Sequence, residues 1–256
     1  MLRRTTLAAA LIVAAATFLV AAPANAAAYA VTLATSVTKG DVGTKVTLSG
    51  KVGGTGAAGR TVYLQRQSSN GAWGTVATTT TNSARAYSKA VTIPAAGTNA
   101  YRAVVNASST VAKGTSLTRT VTGWTWLNLT DQPHYTAGEV VVGNTFFVAG
   151  KNRSRNVELS SGSSIFWVLD GHCDRSDVSV ARYDGGNPLQ TVPVSVTTDD
   201  GGATYFAKSG SLTPANNVTL QSANLELARA DDSGPGVVVT TPRVHCDVAR
   251  LPSIFF

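Results

Sequence analysis

Past residue 26, the apolar side chains of this chain recur at every second position. Nowhere do they hold the i, i+3, i+4 spacing that a buried helical face needs. Val46, Leu48 and Val52 alternate with polar or small residues, as do Tyr101, Ala103 and Val105, Ile165, Trp167 and Leu169, and Val192, Val194 and Val196. A strand sends successive side chains to opposite faces of its sheet, so this alternation builds one apolar face per strand. Turn residues separate the runs, among them Lys39-Gly40-Asp41-Val42-Gly43, Asn70-Gly71 and Asp199-Asp200-Gly201-Gly202. Asn-Gly and Asp-Gly pairs tolerate the positive φ of two-residue hairpin turns. Short strands joined by tight turns predict an all-β chain of sandwich architecture.

The first 26 residues follow a different rule. Arg3 and Arg4 precede a run of small and apolar residues from Leu7 to Ala22, broken only by Thr17. Pro23 ends the run, and Ala24-Asn25-Ala26 places small residues at −3 and −1 of a cleavage site. A helix that spans a bilayer needs about 20 apolar residues, and this run is shorter and Ala-rich. Residues 1–26 therefore read as a signal peptide cut between Ala26 and Ala27, and the mature protein is expected to be secreted and extracellular. No Cys lies beside that site to carry a lipid, and no later run reaches membrane length. No transmembrane segment is expected after cleavage.

Charge divides the remainder in two. Residues 27–122 hold ten Lys and Arg against one acid, Asp41, a balance of +9. Residues 123–256 hold nine Lys and Arg against thirteen Asp and Glu, a balance of −4. Such asymmetry predicts two domains, 27–122 and 123–256, in different electrostatic surroundings. The cations of the first domain are spread over almost every strand. Solubility accounts for scattered charge; the sharper expectation is adhesion to anionic polymers of the cell wall or to nucleic acid.

The first domain reads as seven short strands, a number that suits a Greek-key sandwich. It resembles the bacterial immunoglobulin-like domains of secreted Gram-positive proteins. The resemblance rests on Gly43-Thr44-Lys45-Val46-Thr47-Leu48-Ser49-Gly50, Gly59-Arg60-Thr61-Val62-Tyr63-Leu64-Gln65-Arg66, Trp73 with Val76 and Ala77, and Ala96-Gly97-Thr98 leading to Tyr101-Arg102-Ala103. These are turn and core motifs, so the resemblance implies a fold and no activity. Tyr101, at the start of a late strand, is expected to bond back to the backbone as a tyrosine corner.

The second domain carries three of the four tryptophans, nearly all the acids and both cysteines. Its eight or nine predicted strands suit a jelly-roll-like sandwich. The order Trp126-Leu127-Asn128-Leu129, Val142-Gly143-Asn144, Ser164-Ile165-Phe166-Trp167-Val168-Leu169, Cys173, Asp200-Gly201, Leu225-Glu226-Leu227 and Pro242-Arg243-Val244-His245-Cys246 resembles the NPCBM family of carbohydrate-binding modules. That resemblance implies a galactose-binding-like fold and a cell-wall or extracellular polysaccharide partner, galactosides among them. Two departures bear on the transfer: Gly150 to Leu159 lacks the His that many members carry, and no glycosidase domain is attached.

Cys173 and Cys246 are the only cysteines of a chain read as secreted, so an intramolecular disulfide is expected. Each sits in the same tripeptide, His172-Cys173-Asp174 and His245-Cys246-Asp247. Adjacent His and Cys do not match zinc spacings, and no metal site is expected. If the cysteines face each other on antiparallel strands, their neighbours pair crosswise: His172 with Asp247, and Asp174 with His245. Each carboxylate then favours a charged imidazolium. Strict alternation sets Cys173 on the face opposite Val178 and Val180, so this register needs a bulge or a strand that starts after Arg175.

No Gly-x-Ser-x-Gly elbow or phosphate-cradling glycine loop occurs. The paired acids Asp199-Asp200 and Asp231-Asp232 lie in turns rather than across a cleft. The chain is expected to be non-enzymatic and without a cofactor; no motif argues for calcium. Sugar binding asks for an exposed aromatic face and polar side chains at a loop rim. Trp124, Trp126 and Tyr183, with Asp184 and Asn187, are the candidates. Two functions follow from the sequence: a secreted carbohydrate-binding or cell-surface adhesion protein, or a secreted structural or protein-interaction protein whose sugar site is degenerate. Exposure of the three aromatics beside one concave surface favours the first, and their burial the second.

Overall fold

The computed structural model describes residues 27–184, 189–215, 220, 223–229 and 236–253. The signal run with Ala26, the candidate Asn187 and the pair Asp231-Asp232 lie outside these residues. Among the described residues the only helical element is a 3-10 turn at Leu129–Asp131, and everything else regular is strand.

The first half contributes β1 (Ala30–Val31), β2 (Ala34–Thr35), β3 (Lys39–Asp41), β4 (Lys45–Gly53) and β5 (Thr61–Gln67). It continues with β6 (Trp73–Thr80), β7 (Ala86–Thr92), β8 (Gly97–Val105) and β9 (Gly114–Thr115). β10 (Arg119–Asn128) follows and belongs to both halves. One sheet joins β1, β2 and β7 to β4; the other runs β10–β8–β5–β6, with β3 and β9 attached. Alternation does what the sequence predicts. Val46, Leu48 and Val52 of β4 point inward and are almost wholly buried, as are Val62 and Leu64 of β5 and Tyr101, Ala103 and Val105 of β8. Together with Tyr29, Leu33, Ile93 and Val121 they form one apolar cluster between the sheets.

The tyrosine corner is corrected by the structure. Tyr101 is fully buried, but its hydroxyl has no hydrogen-bond partner. Tyr87 makes the expected kind of bond instead, its hydroxyl donating to the Thr32 carbonyl oxygen. The bond crosses directly over Gly50, where a Cβ would stand 2.0 Å from that oxygen, so the position admits no side chain. Burial raises the Tyr87 phenol well above its ordinary range.

The second half adds β11 (Tyr135–Ala137), β12 (Val140–Val148), β13 (Lys151–Leu159), β14 (Ser164–Val168) and β15 (Cys173–Arg182). Then come β16 (Val192–Thr198), β17 (Gly201–Ala207), β18 (Thr213–Pro214), β19 (Asn224–Ala228) and β20 (Val237–Cys246). A five-stranded sheet in the order β11–β14–β19–β16–β17 packs on β12, β13, β20 and β15. Ile165, Trp167 and Leu169 fill the middle of this second cluster, and the Trp167 indole donates to the Leu129 carbonyl at 3.0 Å.

The two halves are not joined by a loop. Residues 119–123 of β10 pair with β8, and residues 125–128 pair with β20, so the predicted boundary at 122/123 falls inside a continuous strand. Cys173 lies opposite Cys246 and is bonded to it. The register difficulty is met by bulges, one between Cys173 and Arg175 and another between Asp177 and Ser179. The first puts its extra residue on β15 and brings Val178 and Val180 inward, and the second puts its extra residue on β20.

A bridge across 73 positions is worth about 4 kcal/mol in the chain-entropy account of disulfides. The double variant Cys173→Ser, Cys246→Ser is expected to lose roughly that much in urea unfolding. An unchanged midpoint would show that the bridge constrains nothing in the unfolded chain.

Candidate functional site

The candidates fall into two groups that β15 holds apart. Trp126 lies opposite His245, which lies opposite Arg175 near the start of β15. Tyr183 and Asp184 follow the end of the same strand. Eight residue steps lead from Arg175 to Tyr183, roughly 25 Å at the usual rise. Trp124 and Trp126 therefore share no surface with Tyr183 and Asp184, and the predicted single rim of aromatics and acids is not formed.

Asp184 is used by the backbone. Its two carboxylate oxygens accept from the Ala149 and Gly150 amides at 2.8 and 2.7 Å. Ala149 and Gly150 both have positive φ, 50° and 71°, so Asp184 fastens a tight turn between β12 and β13. The half-buried Tyr183 ring meets Phe146 edge-on at 5.3 Å. Its phenol is raised, first by burial and then by a hydrogen bond to the charged Glu158 carboxylate. Asp199, in the other predicted acid pair, accepts from the Ala223 amide and Asn224, holding a turn rather than facing a cleft.

Around Trp124 and Trp126 the structure builds something the sequence indicated only in part. The crosswise pairs form: His172 Nδ1 lies 2.8 Å from Asp247 Oδ1, and His245 Nδ1 lies 2.6 Å from Asp174 Oδ1. His245 has a third partner, Asp41 of the first sandwich, whose Oδ1 stands 3.0 Å from Nε2 across 204 residues of sequence. Its side chain is only 2% exposed. Each ring nitrogen thus has a carboxylate oxygen within hydrogen-bond distance. Arg175 Nη2 is 2.9 and 3.2 Å from the two nitrogens. An in-plane approach to both would strike Cε1, so the guanidinium lies over the ring and leaves its edge to the carboxylates.

The tryptophans close this cluster. Trp124 stacks on the His245 ring at 5.4 Å and 21°, and Trp126 meets it at 5.1 Å and 48°. Arg243 and Arg175 lie 4.9 and 5.7 Å from the Trp126 ring centre, and Lys39 lies 5.8 Å from that of Trp124. Cations over indole faces are favourable contacts, and they occupy the faces a sugar ring would need. Arg243 is itself held by Asp177 through a 2.8 Å bond. Trp126 remains 38% exposed. Among the described residues no three His, Cys, Asp or Glu side chains gather where they could hold a metal ion.

One sequence signal for the missed partner existed: Asp41 is the lone acid in a half with ten cations. Local pattern gave no hint of where its partner lies. Arg175 and Arg243 were also missed, because their place over the indoles depends on the β10–β20–β15 register.

No protein-family model matches the chain, and no curated protein matches it. Among solved structures, a Corynebacterium diphtheriae protein described as membrane anchored is similar at 8% identity with a TM-score of 0.33. The match covers 87% of this chain and 52% of that one, so this chain spans about half that protein's length. Among the described residues no helix is long and apolar enough to cross a membrane.

Two outcomes follow from the cluster and from Tyr183. His245→Ala leaves two carboxylates without their buried partner and two indoles without their packing partner; it is expected to cost about 3 kcal/mol. Asp41→Asn, at a half-exposed position, should cost less than about 1 kcal/mol. Equal losses in urea unfolding would contradict this division. The raised Tyr183 phenol stays neutral in the folded chain while the unfolded one ionises, so stability is complete below the ordinary tyrosine value and falls above it. Tyr183→Phe should flatten that alkaline fall in a pH series of melting temperatures; an unchanged slope would remove Tyr183 from the account.

Proposed function

We propose that this chain works outside the cell as a non-catalytic structural or protein-interaction protein, a stiff pair of sandwiches that spaces or presents other surfaces. One observation carries the reading: the side chains expected to form a sugar platform, Trp124 and Trp126, are spent on packing His245 between an acid of the first half and an acid of the second. A lectin-like site needs an open aromatic face, and here those faces meet cations and an imidazole. The shared strand β10 supports the same reading, because a paired strand crossing the junction resists bending there. Domains joined by ordinary linkers move relative to each other.

In this proposal the first sandwich is of the bacterial immunoglobulin-like kind, and the second is an NPCBM-type fold kept for its shape. Secretion through the N-terminal run belongs to the proposal, and the disulfide suits an oxidising compartment.

Residual dipolar couplings on the full mature chain test the stiffness. One alignment tensor is expected to fit the amides of both sandwiches; two independent tensors would sink the spacer reading. A screen against neutral glycans should return no saturable binding sensitive to Tyr183→Phe or Trp126→Phe. Saturable binding lost in either variant would restore the carbohydrate-binding function.

A further inference from the structure

The first sandwich has an acid-free surface of its own. Its single carboxylate, Asp41, is engaged by His245 at the junction. Lys45, Lys51 and Lys89 fall in the β4–β7 ladder, and Arg85 lies just before it. Lys45 lies opposite Thr92 at one end and Lys51 opposite Ala86 at the other, six residues along β4, or roughly 20 Å. Arg85 stands in the turn that enters β7, its carbonyl accepting from the Val52 amide beside Lys51. Lys89 is opposite buried Leu48, between buried Tyr87 and Val91, so alternation sets it off the face of Lys45 and Lys51, and it is exposed on edge strand β7. All four are exposed, and among the described residues none forms an ion pair.

Small polar side chains lie between these charges. The outward positions of β4 between its lysines are Thr47 and Ser49, with Ser88, Ala90 and Thr92 beside them on β7. On the other flank, Thr32 and Ser36 adjoin Lys51 and Thr47 through backbone bonds. The outward positions of β4 and β7 between these charges thus carry hydroxyls or alanine. A lysine on an edge strand also guards against strand-to-strand aggregation, which accounts for Lys89 but not for Lys45 or Lys51 on the face.

We infer that this ladder is a docking rail for an anionic polysaccharide, a linear polymer with regularly placed carboxylate or phosphate groups on a hydroxyl-rich backbone. Charge complementarity selects the polyanion: Lys45 and Lys51 on the face, Arg85 in the turn beside Lys51 and Lys89 at the adjoining edge meet no competing acid. The chemistry between them selects a glycan over a nucleic acid. Single-stranded nucleic acid is held by aromatic stacking beside the cations, and the rail offers none. Tyr87 is buried, and the one tryptophan of this sandwich, Trp73, lies on the other sheet with the Arg102 guanidinium 4.2 Å from its ring centre. The rail draws on the first sandwich alone, so it stands or falls independently of how stiffly the two sandwiches are joined.

The test uses the full mature chain and polygalacturonate as the probe, with dextran as the neutral control. Wild type should bind polygalacturonate at low salt and ignore dextran. Affinity should fall on the order of tenfold or more between roughly 50 and 200 mM salt, as counterion release dictates for a few contacts. The variant K45Q/K51Q/R85Q/K89Q should lose about tenfold or more at fixed salt with its melting temperature kept. The variant R66Q/R102Q/K113Q/R119Q removes equal charge elsewhere and should lose far less. Absence of wild-type binding, or equal losses in the two variants, would overturn the rail. Tighter binding of a single-stranded oligonucleotide than of polygalacturonate would overturn the choice of polymer.

Discussion

Everything in this molecule is hung on one strand that serves two sheets. β10 pairs with β8 through residues 119–123 and with β20 through residues 125–128, with no break for a linker. Because a strand alternates its side chains, Trp124 and Trp126 are forced onto one face of it. They therefore straddle the junction, and whatever lies between them is shared by both sandwiches. His245 lies there, and the disulfide at the next residue ties its strand to β15. The Asp41–His245–Asp174 chain of bonds then links the first sandwich to β15 through a buried ring. A buried polar network of this kind adds specificity of arrangement more surely than it adds stability.

Much of this was legible in the sequence, for a physical reason that also marks the limit. Alternation is a property of a few adjacent residues, so the inward positions of β4, β8 and β14 could be read directly. The repeated His-Cys-Asp tripeptide carried more: one disulfide in an antiparallel register fixes where its neighbours must go, and the crosswise pairs follow. Tyr101 follows a glycine turn, the sequence context of a tyrosine corner, and on that ground the sequence predicts the bond there. The structure gives it to Tyr87, since only that hydroxyl reaches a free carbonyl over a glycine. The junction shows the same limit. Composition changes near residue 123, but the hydrogen bonds of β10 do not.

The candidate sugar site shows where local reading fails. Trp124, Trp126, Tyr183 and Asp184 each have the right chemistry, yet a recognition site is a matter of convergence, and β15 separates them. Asp184 is consumed by two backbone amides that a tight turn leaves unpaired. Trp126 is consumed by cations that arrive from β15 and β20, and Trp124 by Lys39 of β3 and the His245 ring. What survives as free chemistry lies in the first sandwich, where Lys45, Lys51, Arg85 and Lys89 stand exposed without acids. The two halves thus divide the work: the second is held closed by its bridge and paired charges, and the first keeps its charges open to solvent.

Native-state hydrogen exchange of the β10 amides tests the central claim most directly. If the two sandwiches form one unit about this strand, protection runs without interruption from Val121 through Asn128, at the level of the slowest amides of β8 and β20. Fast exchange confined to Gly123 through Thr125, between protected ends, would mean a hinge, and the molecule would be two independent sandwiches with an ordinary link.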